Sequence, residues 1–291
     1  MKIAYSPCPN DTFVFHAWAA GLIPGAPRLD VTYADIDITN GLSEGTDGPE
    51  IMKISYAALP WTHPDYALLP CGGALGRGCG PLVLTAGAPA AAGLPDPARL
   101  SGKTVAVPSE RSTAYLLFRL WAARHVPGGV GRILVMPFNQ IMPAVQRGDI
   151  DAGLVIHEAR FTYPQYGLSL LQDLGSWWEQ DTGLPIPLGA IIAKRTLDLE
   201  AVAGWIRASV DYAWANPEAS REYVMSHAQE LSPEVAKSHI DLYVNSFTRD
   251  LGADGFAAVN ALLGRAAAEG LVPEARVASL QQQLQSGTNA V

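Results

Sequence analysis

The chain has 291 residues, 48% of them hydrophobic and 16% charged, with 28 acidic against 20 basic side chains and a net charge of −8. At about 150 residues per domain this length suggests two domains, and so much apolar material excludes a disordered chain. The acidic balance, with no basic cluster anywhere, excludes nucleic acid as a partner, because phosphate binding needs a basic face.

The first half reads as strands alternating with helices. Lys2–Ser6 is a short apolar strand that runs straight into Ser6-Pro7-Cys8-Pro9. No apolar signal-peptide core lies there, so a cytoplasmic protein is expected. Phe13–Ala20 has helical spacing, its start marked by Asn10, Asp11 and Thr12. Val31–Ile36 alternates like a strand, and Ile51–Leu59 and Pro81–Thr85 are apolar runs bounded by turn formers. The Gly-rich Gly72–Gly78 stretch lacks the Lys-Ser/Thr ending of a phosphate loop and precedes a strand, so it reads as a backbone-packing loop. The uncharged run 78–95 is broken repeatedly by Gly and Pro, which excludes a membrane helix and a membrane partner. The segment 86–97, AGAPAAAGLPDP, is a candidate domain boundary.

A second α/β unit follows. Lys103–Val107 is a Val-rich strand, and Ser112-Thr113 opens a helix that runs through Leu120 to Arg124. Ile133–Met136 is a strand, Gln140–Arg147 a short helix, and Ala152–Ile156 an apolar strand of the buried parallel type. Leu184–Ala193 reads as a strand leading away. Four helical stretches then follow, over Leu199–Trp214, Pro217–Ala228, Pro233–Phe247 and Asp254–Glu269. Proline stands at the first helical position of the second and third. This order predicts two lobes with a cleft between them. One is discontinuous (1–100 and 191–291), and the other is inserted (101–190).

His157 is the most informative side chain. It stands at the carboxyl end of an apolar parallel strand, where ligands of open α/β sheets bind, and an imidazole can act there as a general base near neutral pH. The bland reading is a cap for the following Glu158–Tyr163 segment. The helix starts at Asn10-Asp11-Thr12 and Ser112-Thr113-Ala114 could hold an anion on backbone N–H groups, or they could be ordinary N-caps. Ser55-Tyr56-Ala57 is either a site at a strand end or a buried strand end. Trp177-Trp178 is read as packing. The other histidines (His16, His63, His125, His227, His239) show no metal spacing. No Gly-x-Ser-x-Gly nucleophile motif occurs. The odd set Cys8, Cys71 and Cys79 lacks Cys-x-x-Cys spacing and is expected as free thiols.

Five stretches together go further: Ser6–Phe13 (SPCPNDTF), Lys53–Ala58 (KISYAA), Gly72–Gly78 (GGALGRG), Ile156–Tyr163 (IHEARFTY) and Thr182–Pro185 (TGLP). Taken in order along nearly the whole chain, they resemble the 1,4-dihydroxy-6-naphthoate synthases of the futalosine route to menaquinone. The resemblance implies an α/β fold of the type II periplasmic-binding-protein kind, each lobe a mixed sheet flanked by helices. It implies a carbon–carbon lyase that converts cyclic dehypoxanthine futalosine, a small anionic aromatic substrate, to 1,4-dihydroxy-6-naphthoate and dihydroxyacetone. It also implies a general base at His157, substrate contacts at Asn40, Ser55, Tyr56, Ala57, Thr113, Ala114, Gly183, Leu184 and Pro185, and no cofactor or metal. The competing readings are a two-lobed solute receptor without chemistry and the related chorismate dehydratase. The Ser6–Phe13 and Ile156–Tyr163 stretches favour the synthase over the latter.

Overall fold

A computed structural model describes residues 1–87, 96–228 and 232–287. Most of the connector expected at 86–97 therefore lies outside the described residues. The chain opens with β1 (Lys2–Tyr5), α1 (Pro9–Ala19), β2 (Asp30–Tyr33), α2 (Ile36–Leu42), β3 (Ile51–Ser55), a 3₁₀ turn over Tyr56–Trp61 and β4 (Tyr66–Gly76). Next come β5 (Leu82–Ala86), β6 (Thr104–Val107), α3 (Thr113–His125), β7 (Arg132–Val135), α4 (Phe138–Arg147) and β8 (Ala152–Val155). After them stand α5 (Ala159–Thr162), β9 (Leu168–Asp173), α6 (Leu174–Thr182) and β10 (Ile186–Lys194). The helices α7 (Leu199–Ala215), α8 (Arg221–His227), α9 (Pro233–Tyr243), α10 (Ser246–Arg249), α11 (Gly252–Ala268) and α12 (Glu274–Gly287) follow.

These elements form two compact units, one of Met1–Gly76 with Pro187–Val291 and one of Arg77–Ile186. The inserted unit thus begins at Arg77, where sequence reading put its start at 101. The reason is β5, which pairs antiparallel with both β8 and β9 and so belongs to the inserted sheet.

The first unit holds a mixed sheet in the order β2-β1-β3-β10-β4, with β1 parallel to β2 and β3 and β10 running antiparallel to β3. Tyr5, Phe15, Trp18, Ile191, Ile206 and Val210 form the centre of its core. Burying each such side chain contributes roughly 1.5–3 kcal/mol. α1 starts at Pro9, four residues earlier than its apolar spacing suggests, because proline at the first position needs no hydrogen-bond acceptor. The apolar run after Ile51 changes from strand to 3₁₀ turn at Tyr56, while Tyr56, Ala57, Ala58 and Leu59 all stay buried. Continuous burial leaves no periodicity to mark such a break. The Gly72–Gly78 stretch, expected as a loop, is for the most part the end of β4. It does serve backbone packing: a Cβ on Gly73 would lie 2.5 Å from the Gly189 carbonyl oxygen.

The second unit holds a sheet in the order β7-β6-β8-β5-β9, with β6 parallel to β7 and β8. All of β8 is buried, and α4 packs its Ile141, Met142, Ala144 and Val145 face into the same core as Leu84, Ala106 and Val155. At one point two backbones meet directly. A Cβ on Gly80 would lie 2.1 Å from the Gly175 nitrogen, a distance no side-chain movement relieves. Gly80→Ala is therefore expected to destabilise the protein by about 1–3 kcal/mol or more. Urea denaturation checks this, and an unchanged midpoint would refute the close approach.

Among the described residues no helix is long and apolar enough to cross a membrane, and no group of three or more metal-capable side chains converges.

Candidate active site

The carboxyl ends of the parallel strands carry the candidate residues in each unit. In the first unit, β3 ends at Ser55 and α2 brings Asn40 to it. The two exchange hydrogen bonds: Asn40 Nδ2 donates to Ser55 Oγ at 3.1 Å, and the Ser55 N–H donates to Asn40 Oδ1 at 2.8 Å. Ser43 Oγ holds the Asn40 carbonyl at 2.7 Å. Because Ser55 Oγ accepts from Asn40, its own O–H is left to donate. Sequence reading extended the strand at Val31 to Ile36. The strand ends at Tyr33, and the turn of helix that begins at Ile36 is what delivers Asn40.

The first unit also holds a buried polar cluster around the Asn10-Asp11-Thr12 helix start. From sequence, Asn10-Asp11-Thr12 reads either as an anion site at a helix start or as ordinary N-caps. In the structure, the N–H groups of Asp11 and Thr12 both donate to the Cys8 carbonyl, so they are spent within the chain. The Asp11 carboxylate pairs instead with Lys53 of β3 at 2.5 Å, both side chains being about 95% buried. Ser6 Oγ donates to Asp11 Oδ2 at 3.0 Å and Asn10 Nδ2 to Oδ1 at 2.8 Å. His239 of α9 joins through Asn10 Oδ1 at 3.0 Å. Since an amide oxygen only accepts, the imidazole Nε2–H is the donor there. The one signal of this cluster in the sequence is Lys53, a single charge inside an otherwise apolar run.

In the second unit, β6 leads to α3 and β8 leads to His157. Ser112 caps α3 as expected, its Oγ accepting from the Tyr115 N–H at 3.1 Å and donating to the Ser109 carbonyl at 2.9 Å. Thr113 and Ala114 form the buried first turn, at the positive end of the helix dipole. β6 and β8 are adjacent and parallel, so this helix start and His157 occupy the same edge of the sheet.

His157 has φ 56°, and it is the one non-glycine residue with positive φ among the described residues. Its half-buried ring stands edge-on to Phe138 with centroids 5.6 Å apart. Non-glycine residues in this region are uncommon, and strained backbone of this kind clusters at functional sites.

Gly183, Leu184 and Pro185 follow α6, which Gly183 closes at φ 71°. Arg77 Nη2 donates to the Gly183 carbonyl at 3.0 Å, and Trp178 Nε1 donates to the Pro185 carbonyl at 2.9 Å. The Leu184 N–H is held by Thr182 Oγ1 at 3.1 Å. With these polar groups engaged, the segment offers mainly the half-buried Leu184 as an apolar wall. Trp178, fully buried, packs and also fixes this segment.

The remaining sequence candidates are structural. His16 and His227 pack on Tyr223, and His125 stacks on Trp121. Burial pushes the Cys71 and Cys79 thiols up to about 12, so neither supplies a thiolate nucleophile near neutral pH. Burial likewise raises the Tyr56 phenol, with a smaller contribution from Cys71.

Two mixed α/β sheets flanked by helices, with candidate polar groups at the carboxyl ends of the parallel strands, give the chain a fold like that of the periplasmic binding proteins. The chain superposes on a crystal structure of an Archaeoglobus fulgidus protein with a TM-score of 0.83 at 32% identity, covering 93% of this chain and 98% of that one. The periplasmic aliphatic sulphonate binding protein of Escherichia coli shares the fold at a TM-score of 0.65 and 15% identity, over 94% of this chain and 88% of that one. Within this fold the chain belongs to the menaquinone biosynthesis family, whose model matches residues 1–268. A relative from Streptomyces coelicolor, a 1,4-dihydroxy-6-naphthoate synthase, is 66% identical over 276 residues, 94% of this chain and 95% of the relative.

Proposed function

We propose that the chain is a 1,4-dihydroxy-6-naphthoate synthase, converting cyclic dehypoxanthine futalosine to the naphthoate with release of dihydroxyacetone. The observation that carries this reading is the 66% identity to the Streptomyces coelicolor enzyme across almost the full length of both chains. The local geometry supports roles for six of the expected site residues. His157, presented from a strained position after β8, takes the proton that starts fragmentation beside the substrate carbonyl. The Ser55 O–H, oriented by Asn40, donates to a carbonyl or sugar oxygen and stabilises charge as an enolate develops. Thr113 and Ala114, at the positive end of α3, receive the aromatic carboxylate without a formal cation. Leu184 supplies an apolar wall. Aromatisation of the product contributes driving force, so the scheme uses a base, donors and exclusion of water.

The test is direct. Purified protein incubated with cyclic dehypoxanthine futalosine should form the naphthoate and dihydroxyacetone in equal amounts. Saturable binding of the substrate without turnover would replace the enzyme with a receptor.

A further inference from the structure

The stretch that carries His157 also holds Arg160, a charged side chain to which the reaction assigns no part. Arg160 follows His157 by three residues, and its N–H reaches back to the His157 carbonyl at 3.4 Å. Its guanidinium is only 19% exposed and is divided between two partners. Nη1 donates to the Gly80 carbonyl at 2.7 Å, and Nη2 donates to Asp173 Oδ2 at 2.5 Å. The other oxygen of Asp173 accepts from the N–H groups of Gly175 and Ser176 at 2.9 and 3.1 Å, capping α6. Gly80 and Gly175 are themselves in direct backbone contact. Both ends of the clamp therefore rest on backbone with no room to shift.

The left-handed backbone of His157 needs such support. A residue in a sparsely populated conformation persists only where its surroundings over-determine it. On one side of His157 the buried strand β8 supplies that constraint, and on the other side the anchor is Arg160. We propose that the Arg160–Asp173 clamp is the positioning device that holds His157 in its left-handed conformation and so aims the imidazole. This inference rests on the reading of His157 as the base. Lysine cannot take over, because one ammonium lacks the planar fork that reaches a carbonyl and a carboxylate together.

Arg160→Lys and Arg160→Met test the clamp, each compared with wild type by two measurements. The first is a ring-nitrogen NMR spectrum of unliganded, isotope-labelled protein, with the His157 signals assigned by their absence in His157→Gln. The second is steady-state kinetics. In both variants the His157 signals should shift or split, while those of His125, stacked on Trp121 in the same unit, stay in place. Misplacing a catalytic group by about 1 Å costs up to roughly 10²-fold. Accordingly kcat should fall about 10–100-fold while KM stays within about threefold. The NMR result does not depend on the reaction, so absent wild-type turnover would count against the proposed function alone. Unchanged His157 signals in the folded variants would overturn the proposal, as would loss of folding in both, which would make the clamp a stabilising element only.

Discussion

His157→Gly should lose turnover about 10²–10⁴-fold, the usual contribution of a general base, while remaining close to wild type in stability. The stability half follows from φ 56°. A left-handed conformation costs a non-glycine residue roughly 1–2 kcal/mol, and glycine escapes that cost. Against this gain stand about 0.5–1 kcal/mol for the greater freedom of glycine in the unfolded chain. Loss of the edge-on contact with Phe138 adds about 0.5–1.5 kcal/mol. The opposing contributions nearly cancel. His157→Ala should lose turnover equally but be less stable than the glycine variant, because alanine keeps the strain. Urea denaturation of both variants, beside the naphthoate assay, decides the matter. Near-normal turnover in either would remove His157 from the chemistry, and an alanine variant as stable as the glycine one would remove the strain.

The second large effect is expected at the buried ion pair of the first unit. Lys53→Met leaves the Asp11 carboxylate buried with only the Ser6 and Asn10 donors, and Asp11→Asn leaves a buried ammonium without a counter-charge. Breaking a buried pair from one side costs about 3–5 kcal/mol, whereas replacing both members together is often nearly neutral. Total stabilities run about 5–15 kcal/mol, so each single variant should be severely weakened. The double variant should recover much of that loss. A double-mutant cycle by chemical denaturation measures the coupling, and simple additivity of the two single effects would show that the pair is not energetically joined. The physical asymmetry is that solvation lost on burial is returned only by the partner.

Much of the second unit was legible as local pattern. Ala152–Ile156 is continuously apolar, and Ser112 is a cap residue before an apolar stripe. Each signal depends on a few adjacent residues, and both elements stand where expected to within a residue. The misreadings share the opposite property. The break at Tyr56 lies inside continuous burial, and α2 is too short for its spacing to register. Asp11 reads as a helix-start residue until Lys53 comes to meet it from another strand. Arg160 carries no separate signal in the sequence, and it becomes a clamp only when Gly80 and Asp173 converge on it.

The sequence by itself determined the acidic, apolar composition, the alternating α/β order and the motif set that marks the family. It also placed His157 at a strand end. Those properties are written in composition, in short-range periodicity and in contiguous residues. Tertiary structure alone decided that β5 joins the inserted sheet, that Asn40 and Ser55 lock together, and that Asp11 is neutralised from within. It also decided that His157 is held in a left-handed backbone. Each of these depends on partners distant in the chain, and the free energy of a buried charge or a strained dihedral is set by what the fold brings against it.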